Sequence, residues 1–221
     1  MLSMALSRFL FQTMTPLQLI KYLPLVCFLG IVFSVCTHYN RYTNLDEGYY
    51  LVLFETDSKI APHLRKFNQI QSARYNHVGL LIRKFPNNQL VHVHPNYRGT
   101  ENVISSLDLN AFVANHARIC EIWQMELTAS EKQKLQHNLD SVSRCKTIQY
   151  DYAFDLHNGN LYCSEFLYAL FRTTDPKKFG FAVSKNKLHY PVNLLYQKDS
   201  IAFIPVDFFK TNAHCSPVKW D

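Results

Sequence analysis

The sequence predicts an α+β domain in which helices interrupt a mostly antiparallel sheet. Apolar, β-branched and aromatic runs at 49–54, 77–82, 90–94, 119–127 and 201–206 read as strands. Pro86-Asn87-Asn88, between the second and third runs, supplies the turn chemistry of a hairpin. Two segments, 128–143 and 161–172, carry apolar residues at helical spacing. Composition agrees: 48% hydrophobic and 18% charged residues belong to a chain that folds around a core.

Taken in order, residues 37–47 are polar and rich in Tyr and Asn, and read as a tether, so the domain is expected to run 48–221. The 49–54 run predicts a buried strand. The mixed stretch 57–73 predicts helical pieces, one starting near Pro62. In 77–82 alternation places His77, Gly79 and Leu81 on one face and Val78, Leu80 and Ile82 on the other. Gly79 there signals the close approach of a neighbouring backbone. Residues 107–117 predict a short amphipathic helix through positions 109, 112 and 113. Thr128 and Glu131 form a capping box ahead of the Leu135, Leu139 and Val142 stripe. Residues 150–154 read as extended. Asn158-Gly159-Asn160 is a turn leading into a helix over 161–172, with Asn160 as its cap and an apolar face of Phe166, Leu167, Leu170 and Phe171.

Ahead of this domain, residues 22–36 carry no charge and follow Lys21. A spanning helix needs about 20 apolar residues, so this run is short for one and better sized for a signal core. Residues 1–36 are therefore expected to be a signal peptide or membrane anchor. A lipoprotein signal starting at Met14 and ending at Cys36 is one form of this, although Val35 fits poorly before a lipidated cysteine. A buried core helix is the alternative, and Pro24 and Gly30 weaken it. Either membrane reading puts the domain on the extracytoplasmic side, with the positive flank inward.

The net charge is +6, but Lys and Arg occur singly or in pairs. That pattern argues against nucleic acid as a partner and leaves a mild attraction to anionic polymers or headgroups. Of six cysteines no two have C-x-x-C spacing, which argues against a zinc ribbon or a thioredoxin-type site. The four outside the N-terminal run are too scattered for a disulfide framework.

Cys163 alone sits in a context that suggests chemistry. In Asn160-Leu161-Tyr162-Cys163-Ser164-Glu165 it falls in the first turn of the expected helix. There, free N–H groups and the positive end of the dipole favour a thiolate and can hold an oxyanion. A buried structural cysteine is the alternative. His77, opening its strand, is the best partner. His92 and His94 share one face of the next strand, so one of them could bond the far nitrogen of His77 and set its tautomer. The same three histidines could instead ligate zinc, or His92 and His94 could simply face solvent. Asp151 and Asp155 suit turn N–H groups, and Glu165 suits the helix dipole.

His77-Val78-Gly79-Leu80, Tyr150-Asp151-Tyr152 and Tyr162-Cys163-Ser164-Glu165-Phe166 resemble the YiiX/YebB-like cysteine hydrolases, a circularly permuted branch of the NlpC-type papain-like superfamily. The resemblance covers roughly 48–206 and includes the capped helix and Tyr190-Pro191. It implies a permuted papain-like fold, with a mostly antiparallel sheet packed on the helix that carries the nucleophile. It also implies a cysteine amidase or peptidase acting through an acyl-enzyme on a peptide, cell-wall-derived or acyl-amide substrate. Cys163 takes the place of the nucleophile and His77 that of the base. The third position, often Glu in the family, falls on the 90–94 strand, where His92 is the first choice and His94 the second. No cofactor or metal is expected. Two rival readings are an acyltransferase or lipid-ester hydrolase of the permuted lecithin–retinol acyltransferase type and a non-catalytic envelope-binding module. The former typically shows Asn-Cys-Glu-His where this chain has Tyr-Cys-Ser-Glu.

Overall fold

A computed structural model of the chain describes residues 45–58, 62, 65–70, 73–95, 103–145, 147–181, 183–187, 193 and 199–219. The expected signal or anchor at 1–36, most of the tether and Tyr190-Pro191 lie outside the described residues. Among the described residues, no helix is long and apolar enough to cross a membrane.

In chain order the elements are β1 (Gly48–Thr56), a 3-10 turn (Arg65–Phe67), β2 (His77–Lys84), β3 (Asn87–Val93), β4 (Ile104–Asp108), α1 (Leu109–His116), β5 (Ala117–Met125), α2 (Ala129–Ser143), α3 (Cys163–Thr174), β6 (Ser184–Lys187), β7 (Ser200–Phe203) and β8 (Cys215–Pro217). Among the described residues, six strands form one sheet in the order β4-β3-β2-β1-β5-β8, every pair antiparallel. β6 and β7 make a separate antiparallel pair. The α+β class expected from the sequence is the class observed.

The alternation in β2 decides what each face of the sheet meets. Leu51, Leu53, Val78, Leu80, Ile82, Val91 and Val93 join one core with Phe166, Leu167, Leu170 and Phe171 of α3. On the other face, Phe54, His77 and His92 lie against Phe112 of α1. Covering both faces explains why β2 is buried from Val78 to Arg83.

Several boundaries differ from the sequence reading, each for a local reason. The hairpin turn is Phe85-Pro86, because Asn87 and Asn88 already pair with Lys84 and Arg83. The helix expected over 107–117 starts at Leu109, where the Asp108 carboxylate accepts from the N–H groups of Asn110 and Ala111 at 2.9 and 3.2 Å. The residues before that cap form β4, which the sequence reading missed. α2 starts as expected, with both capping-box bonds made: Thr128 N–H to Glu131 at 2.6 Å, and Glu131 N–H to Thr128 at 3.2 Å. α3 begins later than expected, at Cys163, with Tyr162 as its cap residue. Asn160 instead accepts from Gln149 N–H at 3.3 Å. β7 stops at Phe203 because the backbone of Ile204 turns to α3: its N–H donates to Tyr162 Oη at 2.8 Å and its carbonyl accepts from Ser164 Oγ at 2.6 Å.

The entry into β2 is held from the far end of the chain. Asp207 is fully buried, and its carboxylate accepts from Gln69 N–H at 2.9 Å, Ile70 N–H at 3.1 Å and Tyr75 Oη at 3.0 Å. Burial and this neighbouring carboxylate hold the Tyr75 hydroxyl well above the ordinary tyrosine range, so it stays a donor. Asp207→Ala deserts three donors, each costing roughly 1–3 kcal/mol. The variant is expected to lose about 3 kcal/mol or more of unfolding free energy in urea titrations, and Asp207→Asn less.

Candidate active site

The site is built where the strand ends meet the start of α3. β3 pairs with β2 so that Leu80 faces Val91 and Leu81 faces Leu90, which brings His92 across from Gly79. A Cβ on Gly79 would lie 2.7 Å from a Leu90 methyl and 3.3 Å from the His92 Cβ. The glycine therefore lets the side chains of β3 close in, where the sequence suggested a close backbone. With that space open, His92 Nδ1 sits 3.0 Å from His77 Nε2, the rings at 89° to one another. Phe112 packs on both imidazoles and fixes their planes.

This contact uses the Nε2 of His77 and leaves its Nδ1 for another partner. When Nε2 carries the proton and donates to His92, Nδ1 is a free acceptor, which is the form a general base requires. His94, the second choice for this role, directs Nδ1 to the Pro95 carbonyl at 3.2 Å, and its ring lies 5.5 Å from that of His92. His92 is buried, so the solvent-facing reading fails for it. His94 is intermediate in exposure.

Cys163 is 4% exposed and is the first residue of α3. Burial pushes its thiol up to about 11, while N–H groups of Val78, Ser164 and Cys163 itself and the Ser164 hydroxyl pull the other way. The Val78 contact ties the sulfur to the residue after His77. Burial likewise pulls His77 down to about 4, and the charge of His94 adds to this. Both groups are therefore neutral at rest. Moving the proton from sulfur to imidazole creates both charges together, and their attraction offsets part of the two burial costs.

The sequence offered His77 as the partner of Cys163. The structure links them through Val78 and through a shared cavity of about 720 Å³. His77, His92, His94 and Cys163 line it together, with Phe112, Leu107 and Tyr150 as apolar wall. Such a volume is within the range of small-molecule pockets.

Behind Cys163 stands an acidic pair. Asp151 is buried and accepts from Ala153 N–H at 2.9 Å, Asp155 N–H at 2.6 Å and Asn158 Nδ2 at 2.8 Å. That is the structural role read from the sequence. Burial, with the charge of Asp151 second, pushes Glu165 up to about 8 despite a bond from the Tyr162 N–H. A carboxyl held this high gives up its proton less readily, which works against the helix-dipole role expected of Glu165.

Comparisons with known proteins bear on this arrangement. The family described as permuted papain-like amidase enzyme, YaeF/YiiX, C92 family, matches residues 56–212. A crystal structure described as metalloprotein yiiX from Escherichia coli O157:H7, DUF1105, aligns with a TM-score of 0.54 at 14% identity, covering 80% of this chain and 97% of that one. No curated protein matches. As for a metal in this chain, no group of three or more His, Cys, Asp or Glu among the described residues is placed to hold one. His77 and His92 turn ring nitrogens toward each other.

A neutral thiol makes a specific demand on pH. Alkylation of Cys163 by iodoacetamide, followed by peptide mass, is expected to rise about tenfold per pH unit from 7 to 10, since the thiolate fraction does so below the thiol pKa. A rate already level across that range means a preformed thiolate–imidazolium pair and overturns the neutral resting state.

Proposed function

The chain belongs to the permuted papain-like amidases of the YaeF/YiiX, C92 family, and on that premise we propose that it is a membrane-tethered cysteine hydrolase that cleaves an amide bond through an acyl-enzyme on Cys163. The observation that carries the reading is a buried thiol at a helix start, sharing a cavity with a histidine whose far nitrogen is held by a second histidine.

In this mechanism His77 Nδ1 takes the thiol proton as Sγ attacks the carbonyl carbon. The carbon–sulfur bond forms, and the carbonyl electrons move to oxygen. N–H groups at the start of α3 stabilise that oxyanion. Collapse breaks the carbon–nitrogen bond, and the amine leaves with the proton from His77. Water, deprotonated by the same imidazole, then attacks the thioester and releases acid and free thiol. His92 is a positioning residue that holds the Nε2–H tautomer of His77. An imidazole there does not neutralise the imidazolium as a carboxylate does, so the charge that develops on His77 falls mainly to the thiolate and oxyanion to balance.

The substrate proposed is a peptide or acyl-amide, reached outside the cytoplasm. Support for the location is the charge-free run at 22–36 behind Lys21.

Three measurements test this. Cys163→Ala is expected to lower amide hydrolysis by roughly three or more orders of magnitude while thermal unfolding changes little, and intact mass of the wild type should show an acyl adduct on Cys163. Retained hydrolysis in that variant would falsify the assignment. His92→Ala is expected to cost about ten- to a hundredfold in kcat and to shift the pH profile, with His94→Ala costing less; equal losses remove the distinction drawn between them. For the tether, the full chain expressed in a bacterium should fractionate with membranes and be open to protease added outside the inner membrane. Loss of fatty-acid labelling on Cys36→Ser indicates lipidation, and unchanged full-length mass indicates an uncleaved anchor.

A further inference from the structure

The two ends of the sheet do different things. At one end β1, β2 and β3 deliver Thr56, His77, His92 and His94 to the cavity. At the other end, Gly48 pairs with Arg83 and the Phe85-Pro86 turn joins β2 to β3. The second end is also where the chain enters the domain. Glu47, the residue before β1, accepts from the Phe85 N–H at 3.0 Å, which ties the hairpin tip to the point where the chain enters the domain.

That tip is chemically unusual for a solvent-facing turn. Phe85 is 76% exposed, more than any other large hydrophobic side chain among the described residues. Lys84 and Pro86 beside it are also exposed. An aromatic ring next to a lysine suits the interface of a bilayer, where the ring sits at headgroup level and the ammonium meets anionic lipid. Residues 37–46 separate Glu47 from the charge-free run, and a fully extended chain spans at most about 3.6 Å per residue, so the tip is within reach of whatever surface holds that run.

We propose that the Lys84-Phe85-Pro86 tip is a second, lipid-contacting foot of the domain. It stands on a bilayer containing anionic phospholipid and points the cavity away from it. The inference rests on the membrane reading of residues 22–36. Its consequence is geometric. A strand rises roughly 3.4 Å per residue, so His77 lies about 20 Å along β2 from Arg83. The cavity mouth is then lifted off the surface, and the foot favours soluble peptide or amide substrates over acyl chains still embedded in the bilayer.

The test uses the full chain in vesicles of phosphatidylcholine and phosphatidylglycerol with radiolabelled lipid. The photo-crosslinker p-benzoylphenylalanine replaces Phe85 or, as a control at the cavity end of β1, Asp57. Flotation of the vesicles reports the anchor separately. With the chain floating, at least fivefold more lipid attached through position 85 than through position 57 supports the foot. Equal attachment in floating chain overturns the foot and leaves the membrane reading standing. Failure to float overturns both.

Discussion

Burial of one sheet face against α3 fixes where Cys163 stands. Leu51, Leu53, Val78, Leu80 and Val91 meet Phe166, Leu167, Leu170 and Phe171, and these contacts leave α3 little freedom to slide. The bonds from Ser164 Oγ to the Ile204 carbonyl and from Ile204 N–H to Tyr162 Oη then lock the first turn from the other side. The position of Cys163 follows from the residues before and after it, and the bonds at its sulfur come from groups that favour a thiolate.

The same burial sets the electrostatics, and it does so against charge. It raises the thiol and lowers the imidazole, so the site rests neutral. The devices that counter this are all dipolar: the N–H groups of Val78, Cys163 and Ser164 at the sulfur, and an imidazole rather than a carboxylate behind His77. Glu165 fits the same logic. An ionised carboxylate two residues from the sulfur would oppose a thiolate, and burial beside Asp151 pushes the Glu165 carboxyl up to about 8. The proton is lost as pH rises through about 8. Because the unfolded carboxyl ionises near its ordinary value, the stability gained from holding that proton falls between roughly pH 4.5 and 8.

What the sequence showed clearly were features encoded in short windows. The alternation in HVGLLI, the Thr128–Glu131 box and the apolar stripe of α3 each depend on neighbours a few residues apart, and each is found in the structure. The pairing of His92 with His77 could be anticipated once 77–82 and 90–94 were read as a hairpin, because register follows from the turn. Features that depend on distant partners were missed. β4 is an edge strand reading Ile-Ser-Ser-Leu-Asp, whose polar residues carry little strand signal, and it exists because β3 offers it a ladder. Asp207 lies within the closing residues of the domain, and nothing local ties it to Gln69 or Tyr75. Asn160 had the residue type of a cap but was recruited across the chain by Gln149.

That division between local and distant signals also bears on why the group beside His77 Nε2 is a histidine and not a carboxylate. On β3 the position across from Gly79 is buried and roofed by Phe112, a slot with room for a flat ring. A carboxylate placed there loses hydration and must find compensating charge, whereas a neutral imidazole carries a smaller desolvation cost and still offers an acceptor to His77 Nε2. The slot therefore favours an orienting group that sets a tautomer over one that stabilises a cation. Charge stabilisation then rests on the helix start and the strand N–H of Val78, which are fixed by the core and need no reorganisation when the proton moves.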